Sequence, residues 1–251
     1  MIASLMMYLR PETAAATDRY WALIREALAT RGIEAPASLD NQAEMMTVWT
    51  APDLVLSQTC GMPYRTFLHD RVTLIGTPDF SVEGCPPGHY RSALIVRADD
   101  PRTDLRDFAE ARFAYNESHS QSGLAAAYAH CMARGFWFTH REQSMSHLRS
   151  TQMVQEGTAD IAAVDGVSWR LIARYEPYAA DLRVLEWTAP TPSHPYIAGP
   201  DAPVAETRAA VEEAIANLDP QDRALMGIAG MVDIPREAYL AVENPPADAL
   251  G

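Results

Sequence analysis

Polar residues in this chain gather where short apolar runs stop, and helices begin behind them. Leu54–Leu56 lead into Ser57, Gln58, Thr59 and Gly61, while Phe113–Tyr115 lead into a loop over 116–123. That loop opens an Ala-rich helix that ends near Gly135. Farther on, Ser146 and His147 precede a helix with Leu148, Met153 and Val154 as inward positions and Gly157 as its stop. A short apolar strand from Asp160 to Val164 follows and ends at Asp165. Strand and helix in alternation restrict the chain to an α/β fold, with a mostly parallel sheet and helices on both faces. In such sheets ligands bind beyond the C-terminal ends of the strands, which is where these polar residues fall.

The loop at 116–123 carries the clearest chemistry. Ser120 and Ser122 lie at a helix start, where unpaired N–H groups and the positive dipole end attract an anion and serine hydroxyls add donors. Serine at a helix start is also an ordinary N-cap. For this segment alone capping is the commoner role, and both readings stay open.

The remaining elements follow from pattern. Ile2–Met7 reads as the first core strand, and Pro11 and Thr13 introduce a helix through Thr30 with Trp21, Ile24 and Leu28 on one stripe. Strands are expected near 46–49, 72–75, 93–96 and 183–187, and an acidic amphipathic helix over 205–218. A Gly- and Pro-rich loop spans Glu83–Gly88, and the segment TAPTPSHPYIAGP, with four prolines, must be extended. These two stretches suggest a chain that leaves one domain and later returns: residues 1–90 with 190–251, and residues 91–189 between them.

Composition removes several functions. The 251 residues contain no lysine, all 20 basic residues being arginine, so lysine Schiff-base chemistry and a Walker-type phosphate loop are excluded. A net charge of −13 argues against nucleic acid or an anionic membrane as partner, though a small anion responds only to the local field of its pocket. No apolar run is long enough for membrane insertion. MIASLMMYL lacks a basic n-region and a cleavage site, so the sequence as it stands reads as cytoplasmic; a periplasmic home would require removal of a leader. Cys60, Cys85 and Cys131 lack CxxC spacing. Cys131 reads as a buried small hydrophobe, while Cys60 and Cys85 flank glycines and would pair in an exported protein. His69, His89, His119, His130, His140 and His194 show no metal spacing and read as scattered surface or supporting groups; no metal or cofactor is expected.

Several pieces in a fixed order carry a resemblance that spans nearly the whole chain. They are the first strand ending at Tyr8, LSQTCGMPY (56–64), GCPPGHYRSALIVRADDP (84–101), SQSG (120–123), the SH…S…EGTADIAAVD segment (146–165) and TPSHPYIAG (191–199). Together they resemble the phosphate/phosphonate substrate-binding proteins of ABC importers, the PhnD-like family. The resemblance implies a two-lobed type II periplasmic-binding-protein-like α/β fold with a cleft between lobes. It implies ligand contacts from Tyr8, Ser57, Gln58 and Thr59 in one lobe, and from Asn116, Ser120, Gln121, Ser122, His147 and Asp165 in the other. The partners it implies are a small oxyanion or zwitterion and an ABC permease, with the binding protein itself monomeric. Helix-start N–H groups and hydroxyls hold a tetrahedral oxyanion without a formal cation, and Asp165 would accept a proton from the ligand or bind its amino group.

Each residue has a plainer role beside this one. Tyr8 suits a core aromatic, His147 a helix start, and Asp165 a turn before glycine. Two functions from different classes therefore remain: a solute-binding protein without catalytic residues, and an enzyme on the same fold acting on a small anion. The enzyme would need a nucleophile beside a base, and Cys60 is the one sharp candidate.

Overall fold

A computed structural model describes residues 1–250. Its strands are β1 (Ile2–Ser4), β2 (Leu54–Gln58), β3 (Thr73–Asp79), β4 (His89–Tyr90), β5 (Ser92–Arg97) and β6 (Arg112–Tyr115). They continue as β7 (His140–Gln143), β8 (Ile161–Asp165), β9 (Leu182–Trp187), β10 (Thr191–Pro192), β11 (Tyr196–Ala198) and β12 (Gly230–Val232). The chain forms two compact units, Met1–His89 with Pro192–Leu240, and Tyr90–Thr191 with the segment from Ala241 onward. The crossings fall at β4 and β10, in the two proline-rich stretches. The C-terminal tail goes with the second unit rather than the first. Leu250 packs on that unit's core, and Arg141 donates from Nη2 to the Asp248 carbonyl at 3.2 Å.

The first unit is built on a sheet in the order β1-β2-β11-β3-β12. β1 and β2 run parallel, whereas β11 runs antiparallel to both β2 and β3, and β12 antiparallel to β3. The second unit has the order β7-β6-β8-β5-β9, with β5 antiparallel to β8 and β9 and with β6 parallel to β7 and β8. The sheets are therefore mixed, not mostly parallel. Strands that follow a crossing enter the sheet from the opposite end, and alternation of strand and helix along the chain does not reveal that direction.

The helix Ala14–Ala29 buries Tyr20, Trp21, Ile24 and Leu28, the stripe that its apolar spacing predicts. Helix Val204–Asn217 buries Ala210, Val211, Ala214 and Ile215 in the same way. The segment near 46–49 is a helix, Met45–Trp49, instead of a strand. Glu44 decides this, because its carboxylate accepts from Met46 N at 2.9 Å and Thr47 N at 2.7 Å and so supplies the partners of the first turn. The first strand stops at Ser4, earlier than its apolar run, because Asn41 Oδ1 takes Leu5 N at 2.8 Å and Ser4 Oγ at 2.9 Å. Tyr8 consequently sits in a turn beyond β1.

The second unit packs Phe113 face to face with Phe138 at 4.5 Å between ring centroids, with Leu94, Val96, Leu124 and Ile161 around them. Cys131 lies in this core, and burial pushes its thiol up to about 12. Cys60, Cys85 and Cys131 are all thiols, so the expected Cys60–Cys85 bridge is not formed.

Candidate functional site

In the first unit the candidate residues collect around the end of β2 and the residues just before β11. Gln58 closes β2, its main-chain carbonyl accepting from Trp49 Nε1 at 3.1 Å. Its side-chain Nε2 donates to the His194 carbonyl at 3.1 Å, and Thr59 N donates to the Pro195 carbonyl at 3.1 Å. Tyr8 is brought to the same segment, with Oη 2.9 Å from His194 Nδ1 and its ring edge-on to Phe80 at 4.9 Å. Ser57 and Ser193 are fully buried, and neither hydroxyl has a hydrogen-bond partner among the described residues. On the neighbouring strand the Tyr196 hydroxyl lies 3.2 Å from Tyr20 Oη, and burial holds its pKa up at about 12, so it carries no negative charge.

Of the two roles expected for the scattered histidines, surface or supporting, His194 takes the supporting one. It is 2% exposed, and it holds Tyr8 through its ring and Gln58 through its carbonyl. The only sequence signal for it is its place before Pro195 in the extended segment.

In the second unit the loop after β6 turns at Ser120 into a π-helical turn, Gln121–Ala125, which continues as the α-helix Ala126–Met132. Ser120 caps this turn, its Oγ accepting from Gly123 N at 3.0 Å. The hydroxyl hydrogen of an oxygen used in this way is still available to another acceptor. Gly123 is required by space, since a Cβ there would sit 1.8 Å from Asn116 Oδ1. That oxygen is buried and has no hydrogen-bond partner among the described residues.

Ser122 is buried, with Oγ 3.0 Å from His147 Nε2. His147 is the first residue of the helix His147–Glu156, capped by Ser146 Oγ, which accepts from Arg149 N at 3.0 Å. Ser144 Oγ links the two elements, 3.1 Å from the Tyr115 carbonyl and 2.6 Å from Ser150 Oγ. Met145 holds a left-handed φ of 71° directly before that cap, the kind of backbone strain that accumulates at functional sites. Asp165 ends β8 and caps the next helix, Oδ1 accepting from Val167 N at 2.7 Å and Ser168 N at 2.8 Å.

The ten candidate residues thus form two sets, one in each unit, made of hydroxyls, amides, the His147 imidazole and the Asp165 carboxylate. Both sets lack arginine among the residues named, although the chain has 20 basic residues. Each contains a hydroxyl beside a histidine ring nitrogen. Among the described residues no three His, Cys, Asp or Glu side chains converge as a metal site requires.

The architecture is that of a type II periplasmic binding protein. PhnD1 from Prochlorococcus marinus, solved with methylphosphonate, superimposes with a TM-score of 0.69 at 15% identity, covering 95% of this chain and 94% of that one. The binding-protein component PA3383 of an ABC phosphonate transporter from Pseudomonas aeruginosa gives 0.68 at 12% identity, over 95% and 82%. XAC2383 from Xanthomonas citri, solved with ATP, gives 0.67 at 15% identity, over 94% and 91%. A comparison with curated proteins found no match. The family model for the phosphonate periplasmic substrate-binding proteins of ABC transporters matches residues 42–237, and the chain belongs to that family. It is accordingly a solute-binding component of the ABC-importer type, a class that works with a small-molecule solute and a membrane permease. No helix among the described residues is long and apolar enough to cross a membrane.

Proposed function

We propose that the protein binds a small solute bearing a phosphonate-like oxyanion, through the Ser120–Gln121–Ser122 turn with Asn116 and His147, and through Tyr8, Ser57, Gln58 and Thr59. The observation that carries this reading is the Ser122–His147 pair at the start of a helix. There a hydroxyl and an imidazole stand together at a helix start, where the dipole favours an anion without a fixed cation. A site built from neutral donors releases its solute readily, as delivery to a permease requires. Asp165, at the end of β8, serves an amino group or a protonated oxygen of the solute. The methylphosphonate in the Prochlorococcus relative makes that compound the first to test.

The protein acts as a monomer and performs no covalent chemistry. A serine beside a histidine is also the start of a nucleophilic site, but family membership favours binding. Cys60, the other nucleophile considered, is buried behind β2.

Ser122→Ala tests the reading by calorimetric titration with methylphosphonate. Removing a hydroxyl bonded to a charged group costs about 1.5–3 kcal/mol, a roughly 10- to 150-fold loss of affinity. The ligand-free melting temperature should fall by only a few degrees, about 2–4 °C for the single hydrogen bond to His147. Unchanged affinity with a lowered melting temperature would reduce Ser122 to a structural role.

A further inference from the structure

Arg91 stands between β4 and β5, and its main-chain carbonyl accepts from Gly166 N at 3.0 Å. Ser92, the next residue, pairs with Asp165 on β8, and Ala93 pairs with Trp187 on β9. Because β5 runs antiparallel to both neighbours and β6 parallel to β8, the start of β5 shares one edge of the sheet with the ends of β6, β8 and β9. Arg91 and Trp187 are therefore at the edge where Asp165 ends its strand and where the loop with Asn116, Ser120 and Ser122 leaves β6.

Most arginines of this chain grip a carboxylate or a carbonyl, as Arg102, Arg112, Arg134 and Arg183 do. Arg91 is half-buried with Nε out of contact with solvent, yet its side chain makes no hydrogen bond or ion pair among the described residues. It lies instead over the Trp187 ring, with Cζ 4.5 Å from the centroid. A buried donor on a charged group is costly without an acceptor, so this arrangement suits an acceptor that arrives from outside the fold. A guanidinium on an aromatic face keeps its in-plane N–H groups for such a partner, and its fork matches the two oxygens of a carboxylate. Asp165 does not fill that place, its Oδ1 accepting from Val167 N and Ser168 N.

We infer that Arg91, carried on Trp187, binds a carboxylate that the solute bears in addition to its phosphonate, so that the solute is a phosphonocarboxylate. This rests on the reading of Ser122 and His147 as the phosphonate contacts. One strand, β8, separates β6 from β5, so the two anchors are about 10 Å apart at the backbone. The arginine side chain and a short carbon chain cover that span together. Neutral donors hold the phosphonate, and the single cation selects what is attached to it.

The test is calorimetric titration of the full chain with methylphosphonate, 3-phosphonopropionate and the carboxylate methyl ester of the latter. Wild type should bind 3-phosphonopropionate about 10- to 100-fold tighter than methylphosphonate, and the ester should lose that advantage. Arg91→Met, whose stem still covers Trp187, should bring the ratio of the two Kd values to within about 2-fold of one. Arg91→Lys, which keeps the charge without the fork, should retain only part of the preference. Trp187→Leu, which removes the ring beneath the guanidinium, should reduce it roughly 2- to 5-fold. No preference in wild type, an ester that binds as tightly as the free acid, or a preference that survives Arg91→Met would overturn the assignment. Methylphosphonate binding that still depends on Ser122 would then leave the proposed site standing. Failure of both phosphonates to bind would remove the site and this inference with it.

Discussion

Gly123→Ala isolates the packing that shapes the second unit's candidate site. Gly123 is outside the left-handed region, the glycines with positive φ being at other positions, so alanine suits its backbone. Helix propensity alone would favour the change by about 1 kcal/mol. Space decides against it. The new Cβ would lie 1.8 Å from Asn116 Oδ1, 3.0 Å from its Cγ and 3.2 Å from its backbone N. Rotating the Asn116 side chain breaks no hydrogen bond at Oδ1, but clearing Cγ requires swinging the whole amide about χ1 and still leaves the backbone N at 3.2 Å, so the loop itself must shift. Overpacking of this kind costs about 1–3 kcal/mol, and an overlap this deep belongs at the upper end. The net destabilisation is then ~2 kcal/mol, or roughly 4–8 °C in Tm for a chain of this size. Differential scanning calorimetry of Gly123→Ala, Asn116→Ala and the double variant measures it. The double variant should recover most of the loss, because removing the Asn116 amide clears the two closest atoms. A wild-type Tm for Gly123→Ala, or an equal loss in the Asn116→Ala background, would refute the steric account. Methylphosphonate affinity should fall at least about tenfold in the single variant, since the displaced loop carries Ser120 and Ser122.

Acid should act through Asp100. The Arg102 guanidinium hydrogen-bonds both of its carboxylate oxygens, at 2.9 and 2.6 Å, and holds its pKa down at about 2. A folded pKa below the unfolded value of roughly 3.9 gives stability that is complete above that value and is lost as pH falls towards 2. Urea unfolding at stepped pH should therefore show a shallower loss over that window for Asp100→Asn than for wild type, and parallel curves would exclude the ion pair as the cause. Alkylation in denaturant without reductant should add three labels, one for each thiol, whereas a single label would reveal a bridge. In the native protein Cys85, the half-buried one, should react first, and Cys131 should stay unlabelled because burial holds its thiol near 12.

The α/β class, the strand-end loops, the two crossings and most helices were legible in the sequence because each is written in neighbouring residues. An apolar stripe every three to four positions buries one face of Ala14–Ala29, and Gly157 ends its helix with a left-handed φ of 74°. The absence of lysine was equally local and excluded Schiff-base and Walker-loop chemistry, while the serines at a helix start were legible as either caps or anion donors until the family resemblance favoured the second. Strand direction, the helix at 45–49, the docking of the tail and the thiols depended on partners that sequence neighbours do not specify. Apolar patterning marks a strand without its direction, and Met45–Trp49 has the composition of a strand until Glu44 caps it. The candidate sites divide along the same line. Ser120, Ser122 and Asp165 announce themselves as polar residues at element ends. His194 gained its place beside Tyr8, and Gly123 its steric necessity against Asn116, only when folding packed side chains together, because burial and hydrogen bonding are properties of neighbours in space.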